Sequence, residues 1–370
     1  MQTKTPELGF GLMRLPQTNE KEIDIPQVCE MVDICLKNGF NYFDTAYVYH
    51  GGKSETALKA ALTDRHPRES FRVATKLPPW ELKTEADIQR IFDEQLARTG
   101  LDYFDYYLLH SLEDEHAATC DRFNCWDWGA KMKAEGKIKQ FGFSFHDKPE
   151  LLDKLLTQHP EAEFVQLQIN YIDWENLLVH AGGCYEVARK HNKPIIVMSP
   201  IKGGTLAALK PELEAKLKSV SPENSISSWA LRFVADLVGV EVILSGMSNM
   251  EQLNDNIATM LNPRPLTPAE KSSLDEITKV MLDVPLTGCT TCGYCADACP
   301  VKIAIPDVLR AYDTILTYGD HDRPHFFYTS LIKENGKAGD CTSCGNCQPL
   351  CPQHLHIAEL MKKASTVLDV

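Results

Sequence analysis

From residue 8 onward, short apolar or β-branched runs alternate with longer stretches whose apolar residues recur at helical spacing. The strand candidates are LGFGLM (8–13), NYFDT (41–45), RVATK (72–76), FDYYLLH (104–110), KQFGFS (139–144), FVQLQIN (164–170), PIIVMS (194–199) and EVILSG (241–246). Helices are predicted between them. PQVCEMVDICLKNG (26–39) opens with proline in its first turn and stops at glycine. TEADIQRIFDEQLARTG (84–100) offers Thr84 as an N-cap, and SISSWALRFVADL (225–237) has the same helical spacing. Strands alternating with helices pair in parallel through right-handed crossovers. Eight such units in about 250 residues predict an α/β chain folded as a (β/α)8 TIM barrel. An open doubly wound sheet would want a glycine-rich phosphate loop running straight into a helix after the first strand. Here Gly9 and Gly11 are followed by Met13, Arg14 and Pro16, which start no helix.

The rhythm stops near residue 265. NPRPLTPAEK is a proline-rich connector, and PAEKSSLDEITKVMLD reads as a short helix. The expected division is a barrel over residues 1–265 and, over 266–370, a linker helix with a small cysteine-rich domain. Composition agrees with two packed bodies: 44% of residues are hydrophobic and 24% charged. The net charge of −13 and the lack of a basic cluster argue against a nucleic-acid partner. No apolar run is long enough to span a membrane, and the first residues lack a leader pattern, so a cytoplasmic protein is expected.

Eight of the 13 cysteines lie in CTTCGYCADACP (289–300) and CTSCGNCQPLCP (341–352). Both match Cys-x2-Cys-x2-Cys-x3-Cys-Pro, the spacing of ferredoxin-type [4Fe–4S] sites, in which the fourth cysteine serves the other cluster. Cys289, Cys292, Cys295 and Cys351 are therefore expected to hold one cluster, and Cys341, Cys344, Cys347 and Cys299 a second. Gly293 and Gly345 stand at matching places where the backbone must bend. Zinc prefers cysteine pairs separated by longer loops. The insert between the motifs contains two helical pieces, IPDVLRAYDTILTYGD and part of HDRPHFFYTSLIKENG. The remaining cysteines (Cys29, Cys35, Cys120, Cys125 and Cys184) are scattered and read as small apolar fillers.

Barrel enzymes carry their chemistry at the C-terminal ends of strands. Three successive predicted strands end near Asp44, Lys76 and His110, and Tyr49 follows in the loop DTAYVYHGG. A lysine ammonium beside Tyr49 would favour the phenolate and lower the phenol pKa. With Asp44 holding that lysine, Tyr49 could give a proton near neutral pH, and His110 could orient a substrate carbonyl. Trp126, Trp128, Tyr171 and Trp174 could line a pocket, although core packing is the simpler reading for each.

With these residues in view, roughly residues 8–260 resemble the aldo-keto reductases: FDTAYVY, ATK, LLH, GFS, QLQINY, MSPIKGGTL and SGMSNMEQLNDN carry the similarity. The resemblance implies a barrel, NADP(H) or NAD(H), and reversible reduction of a small-molecule aldehyde or ketone to an alcohol. It makes Tyr49 the proton donor, with Asp44, Lys76 and His110 around it. It assigns Ser144 and Gln168 to the nicotinamide carboxamide. It counts Ser199 among the cofactor contacts, brings Gly203 and Gly204 to the pyrophosphate, and lays Gly246, Ser248, Gln252 and Asn256 along the adenosine end. Phe145 stands where the family often has asparagine, and GMSNMEQLNDN holds no lysine or arginine for a 2′-phosphate, so the choice between NADP and NAD stays open.

A nicotinamide passes two electrons as hydride, whereas an iron–sulfur cluster passes one, and a flavin usually joins the two. Two alternatives therefore stand beside the reductase. One is a ferredoxin-linked oxidoreductase, with ferredoxin or another redox protein as partner, whose clusters feed the barrel. The other is an iron–sulfur carrier or regulator on a barrel without activity.

Overall fold

The computed structural model describes residues 5–18, 22–176, 179–289, 292–318 and 322–370. The chain divides into two compact units, Met1–Lys271 and Ser272–Val370. Among the described residues no helix is long and apolar enough to cross a membrane.

The first unit is a closed barrel of eight parallel strands in sequence order, β8 pairing back to β1. The strands are β1 (Glu7–Gly11), β2 (Tyr42–Asp44), β3 (Arg72–Leu77), β4 (Phe104–Leu112), β5 (Ile138–Phe145), β6 (Phe164–Gln168), β7 (Ile195–Met198) and β8 (Val240–Ser245). Each predicted strand is present. β4 runs two residues further than its apolar pattern suggested and carries an irregularity between Leu109 and Leu112. The predicted helices form as Ile25–Lys37, Ala86–Thr99 and Ile226–Ala235.

Thr84 is not the acceptor cap expected of it. Asp87, inside the first turn, accepts instead from the backbone N–H groups of Lys83 and Thr84 and from the Thr84 hydroxyl. A carboxylate competes better than a hydroxyl for these amides, because the bonds are charge-assisted and the helix N-terminus favours negative charge.

Side chains fill the barrel rather than leaving a pore. Tyr42, Ala74, Leu108, Phe164, Ile196, Val242 and Leu244 form the inner layer. A Cβ added at Gly9 would lie 2.6 Å from Leu244 and 2.8 Å from Val242, so β1 passes this layer only as glycine. The strand register then orders the site. Asp44 is opposite Ala74 and Lys76 is opposite Leu108. Side chains two apart on a strand share a face. Asp44, Lys76 and His110 therefore all point inward, each one step above a member of the apolar layer.

The helix Pro268–Leu282 opens with a reciprocal cap. Thr267 N–H donates to Glu270 Oε2 (2.8 Å), and Glu270 N–H donates to Thr267 Oγ1 (3.2 Å). Arg232 clamps the same carboxylate with two bonds of 2.7 Å, and the Ser221 hydroxyl adds a third at 2.8 Å. Both partners of this clamp are buried.

In the second unit, Ile303, Ile305, Val308, Leu309, Ile357, Met361 and Leu368 build a separate core. The insert supplies helices Ile305–Tyr318 and Asp322–Leu331, and the chain ends in helix Ile357–Leu368. Tyr328 fastens the end of the chain: its hydroxyl donates to Asp369 (2.5 Å) and accepts from Ala338 N–H (2.7 Å).

The Arg232 clamp holds the Glu270 carboxyl at about 2, against 4.5 in an unstructured chain. A depressed carboxyl contributes stability that is complete above its unfolded value and lost as pH falls through its folded one. The clamp should supply about 3 kcal/mol at neutral pH, lost between pH about 4.5 and about 2. Urea unfolding followed against pH should show Glu270→Gln less stable at pH 7 and flatter in acid than wild type. Equal acid limbs would refute this.

Candidate active site and cysteine cavities

At the mouth of the barrel, Lys76 Nζ donates to Asp44 Oδ1 (2.5 Å) and to the Thr45 carbonyl (2.8 Å). Both side chains of the ion pair are almost fully buried. The ammonium lies 5.0 Å from the centre of the half-buried Tyr49 ring. That ring meets the His110 imidazole edge-on, centroids 5.8 Å apart. The four residues expected from strand ends are thus brought together.

Their protonation follows from burial and mutual charge. Desolvation works against the Lys76 ammonium, but Asp44 and the Tyr49 phenol hold its pKa above the ordinary lysine range. Burial raises the Asp44 carboxyl above the ordinary carboxylate range against the pull of Lys76, whose ammonium is in short contact with it. Burial drives His110 well below the usual histidine range, and Lys76, His146 and His116 reinforce this, so the imidazole is neutral. Tyr49 departs from the expectation. Its phenol is raised above the ordinary tyrosine value, not lowered: desolvation outweighs the pull of Lys76, and Asp44 adds to the rise. The side chain therefore stays a neutral O–H through neutral pH. His110 Nδ1 and Asp44 Oδ2 are buried with no hydrogen-bond partner among the described residues.

A second tier supports Lys76. Gln95 Nε2 donates to the Lys76 carbonyl (3.1 Å) and to Glu55 (2.9 Å). Thr75 Oγ1 also donates to Glu55 (2.7 Å), and Tyr107 donates to the Gln95 carbonyl oxygen (2.7 Å). The glutamate is fully buried and the glutamine likewise. Neither stands out in sequence; Glu55 is simply the second residue of the helix Ser54–Leu58.

The opposite side of the mouth is polar. Ser144 Oγ accepts from Ser111 N–H (2.7 Å), which leaves its own proton to give. Gln168 Nε2 donates to the fully buried Asp173 (2.9 Å). Asn170, Asn176 and Lys202 converge on the same carboxylate, Lys202 at 2.8 and 3.1 Å. The three-residue spacing of Asn170, Asp173 and Asn176 is visible in sequence, but nothing there marks Lys202 as their partner. Ser199 is exposed with φ of 53°, and its carbonyl accepts from Asn170 (3.1 Å). Gly203 and Gly204 turn through φ of 65° and 106°, a conformation that disfavours any side chain. Ser248 Oγ donates to the Arg14 carbonyl (2.8 Å), and Gln252 accepts from Ser248 N–H (2.8 Å). Gly246 lies against Arg14. Asn256 is turned inward: it is buried and donates to Ser245 Oγ (2.8 Å).

Trp126, Trp128 and Trp174 are packing residues. Trp126 stacks on His159 at 3.9 Å, Trp128 packs edge-on to Phe92, and Trp174 meets Phe233 and Tyr185. Tyr171 is buried beside Phe233.

The cysteines of the second unit surround two cavities. One is lined by Cys289, Cys292, Cys295 and Cys351. The other is lined by Cys299, Cys341, Cys344 and Cys347. The fourth cysteine of each motif thus joins the other motif's three. Ile305 and Ile357 border both cavities. The repeat extends beyond the motifs. Gly293 and Gly345 both have left-handed backbone, as do Lys302 and His354 three residues past the fourth cysteines. A helix then starts at Ile305 in one half and at Ile357 in the other. Among the described residues no three His, Cys, Asp or Glu converge as a single metal ion would require. Four thiols spread around a cavity suit a cubane's four corners instead.

Residues 7–279 match the model of the aldo/keto reductase family, and residues 288–356 match that of a 4Fe-4S dicluster domain. An uncharacterized oxidoreductase of Bacillus subtilis, YqkF, is 27% identical over 300 residues, 74% of this chain and 92% of that protein. An aldo-keto reductase of Mycobacterium sp. strain MCS is 32% identical over 259 residues, 68% of this chain and 80% of that protein. Among solved structures, an aldo-keto reductase from Klebsiella pneumoniae in complex with NADPH superposes with a TM-score of 0.59 at 21% identity. It covers 75% of this chain and 96% of that one. Barrel, site and motifs agree: this chain belongs to the aldo/keto reductase family and carries a 4Fe-4S dicluster domain behind its barrel.

Proposed function

We propose that the barrel is an NAD(P)H-dependent reductase that converts an aldehyde or ketone to an alcohol, reversibly, with Tyr49 as proton donor. The observation that carries this reading is the meeting of Tyr49, a desolvated Lys76–Asp44 pair and a neutral His110 at one mouth.

Bound reduced nicotinamide would supply the hydride to the carbonyl carbon. The protein's part is then to place the carbonyl and satisfy its oxygen. His110 is neutral, so it can donate a hydrogen bond to that oxygen without bringing a second full charge beside Lys76. As the oxygen becomes basic, it takes the Tyr49 proton. The ammonium stabilises the phenolate that forms, while burial keeps the phenol protonated until then. Two of the three Lys76 N–H bonds are committed to Asp44 and Thr45, which leaves one for the phenol oxygen. Across the mouth, the Ser144 hydroxyl suits the carbonyl of a nicotinamide carboxamide, and Gln168 is steadied by Asp173. The NADPH complex of the Klebsiella pneumoniae relative supports a phosphorylated dinucleotide here.

The two cysteine sets would each hold one [4Fe–4S] cluster and supply single-electron transfer or structural support to the second unit. Thiolates are the ligands this chemistry needs. Cys292 and Cys344 are exposed, which would leave one edge of each cluster open to a redox partner.

Tyr49→Phe should lower kcat by about 10²- to 10⁴-fold, with dinucleotide affinity unchanged, in steady-state and titration measurements. Full activity in this variant would remove tyrosine from the proton step. Lys76→Met leaves Asp44 buried without its cation and should cost about 3–5 kcal/mol of stability. Adding Asp44→Leu should restore part of that loss, and a double variant no better than the single would contradict the pair's role. Anaerobic protein should contain about eight iron and eight sulfide per chain, and Cys351→Ser should selectively impair the cluster built on Cys289, Cys292 and Cys295. Stoichiometric zinc, or no spectroscopic change in the variant, would refute the assignment.

A further inference from the structure

One cation at the barrel mouth has no part in the account above. Arg14 ends the short turn after β1, and β1 pairs with β8. The arginine is exposed and lies across the ends of β7 and β8. A Cβ placed on Gly203 would come within 3.1 Å of its Nη2, and one on Gly246 within 3.2 Å of its own Cβ. Small residues on both neighbouring loops thus make room for this side chain, with its guanidinium beside Gly203.

The backbone that carries Arg14 is fixed from both sides. Ser248 Oγ donates to the Arg14 carbonyl (2.8 Å), and Leu15 N–H donates to His50 Nε2 (3.2 Å). Burial lowers the His50 pKa, which keeps that nitrogen an acceptor. Lys202, the cation next to Gly203, is buried and bound to Asp173, so its charge is already matched. The loops after strands seven and eight are a recurrent phosphate site of such barrels. Guanidinium binds phosphate through paired, charge-assisted bonds.

We infer that Arg14 binds a phosphate of the dinucleotide beside Gly203. It supplies from the β1 loop the cation that the segment after β8 lacks. This inference rests on the proposed reductase reading. The phosphate is either the 2′-phosphate of NADP(H) or the pyrophosphate common to both dinucleotides, and binding measurements separate the two.

Dissociation constants for NADPH and NADH are to be measured anaerobically by isothermal titration on wild type, Arg14→Gln and Arg14→Lys, with thermal midpoints of the dinucleotide-free proteins. Arg14→Gln should weaken NADPH by about 10- to 100-fold, and Arg14→Lys should recover part of the loss. Unchanged NADH affinity would identify the 2′-phosphate, and an equal loss for both dinucleotides the pyrophosphate. Wild-type affinity for both in Arg14→Gln overturns the inference and leaves the reductase reading standing. So does a loss matched in Arg14→Lys with a fall in thermal midpoint, since that marks a structural residue. Wild-type protein that binds neither dinucleotide overturns both.

Discussion

An ammonium and a carboxylate sit inside the barrel, 2.5 Å apart and almost without water. Removing two such charges from solvent costs several kcal/mol per ion, and the pair persists only if geometry and extra hydrogen bonds compensate. The structure meets this condition locally. The Thr45 carbonyl accepts one hydrogen bond from the ammonium, and Gln95, itself tied to Glu55 and Tyr107, holds the Lys76 backbone. The same dry setting makes His110 neutral and keeps Tyr49 protonated. One constraint, charge burial over a filled apolar layer, thus bears on Asp44, Lys76, His110 and Tyr49 alike.

Much of this was legible in the chain. Eight short apolar runs became eight parallel strands because strands buried on both faces carry little polarity to confuse the pattern. Asp44, Lys76 and His110 could be found because strand ends are where a barrel exposes side chains. The cysteine spacing also specified which thiols share a cavity. What escaped notice depended on distance in sequence or on burial. Lys202 looks like a loop lysine until Asp173, far along the chain, is found beside it. Thr84 looked like a cap, but Asp87 is the stronger acceptor. The direction of the Tyr49 shift depended on how much solvent the fold removes, which no list of neighbouring charges supplies. The second unit's repeat continues past the motifs through turns shaped by backbone angles, at Lys302 and His354, where the residue types do not advertise it.

The two units deal in different electron counts. On the proposed reading the barrel moves a hydride and a proton together between carbonyl and alcohol. The dicluster domain has the parts for one electron at a time, with its own core and its own internal repeat. The barrel's site draws every group named for the chemistry from its own strands and loops. On the proposed reading that reaction needs no electrons from iron, and the clusters would serve a partner or the stability of their own unit.

The most direct measurement is anaerobic rapid mixing of the cluster-loaded protein with NADPH and a panel of aldehydes, recording nicotinamide and cluster absorbance together. The account requires nicotinamide oxidation in step with alcohol formation while the cluster bands stay constant. Bleaching of the clusters in step with turnover, or no turnover with any carbonyl, would contradict it.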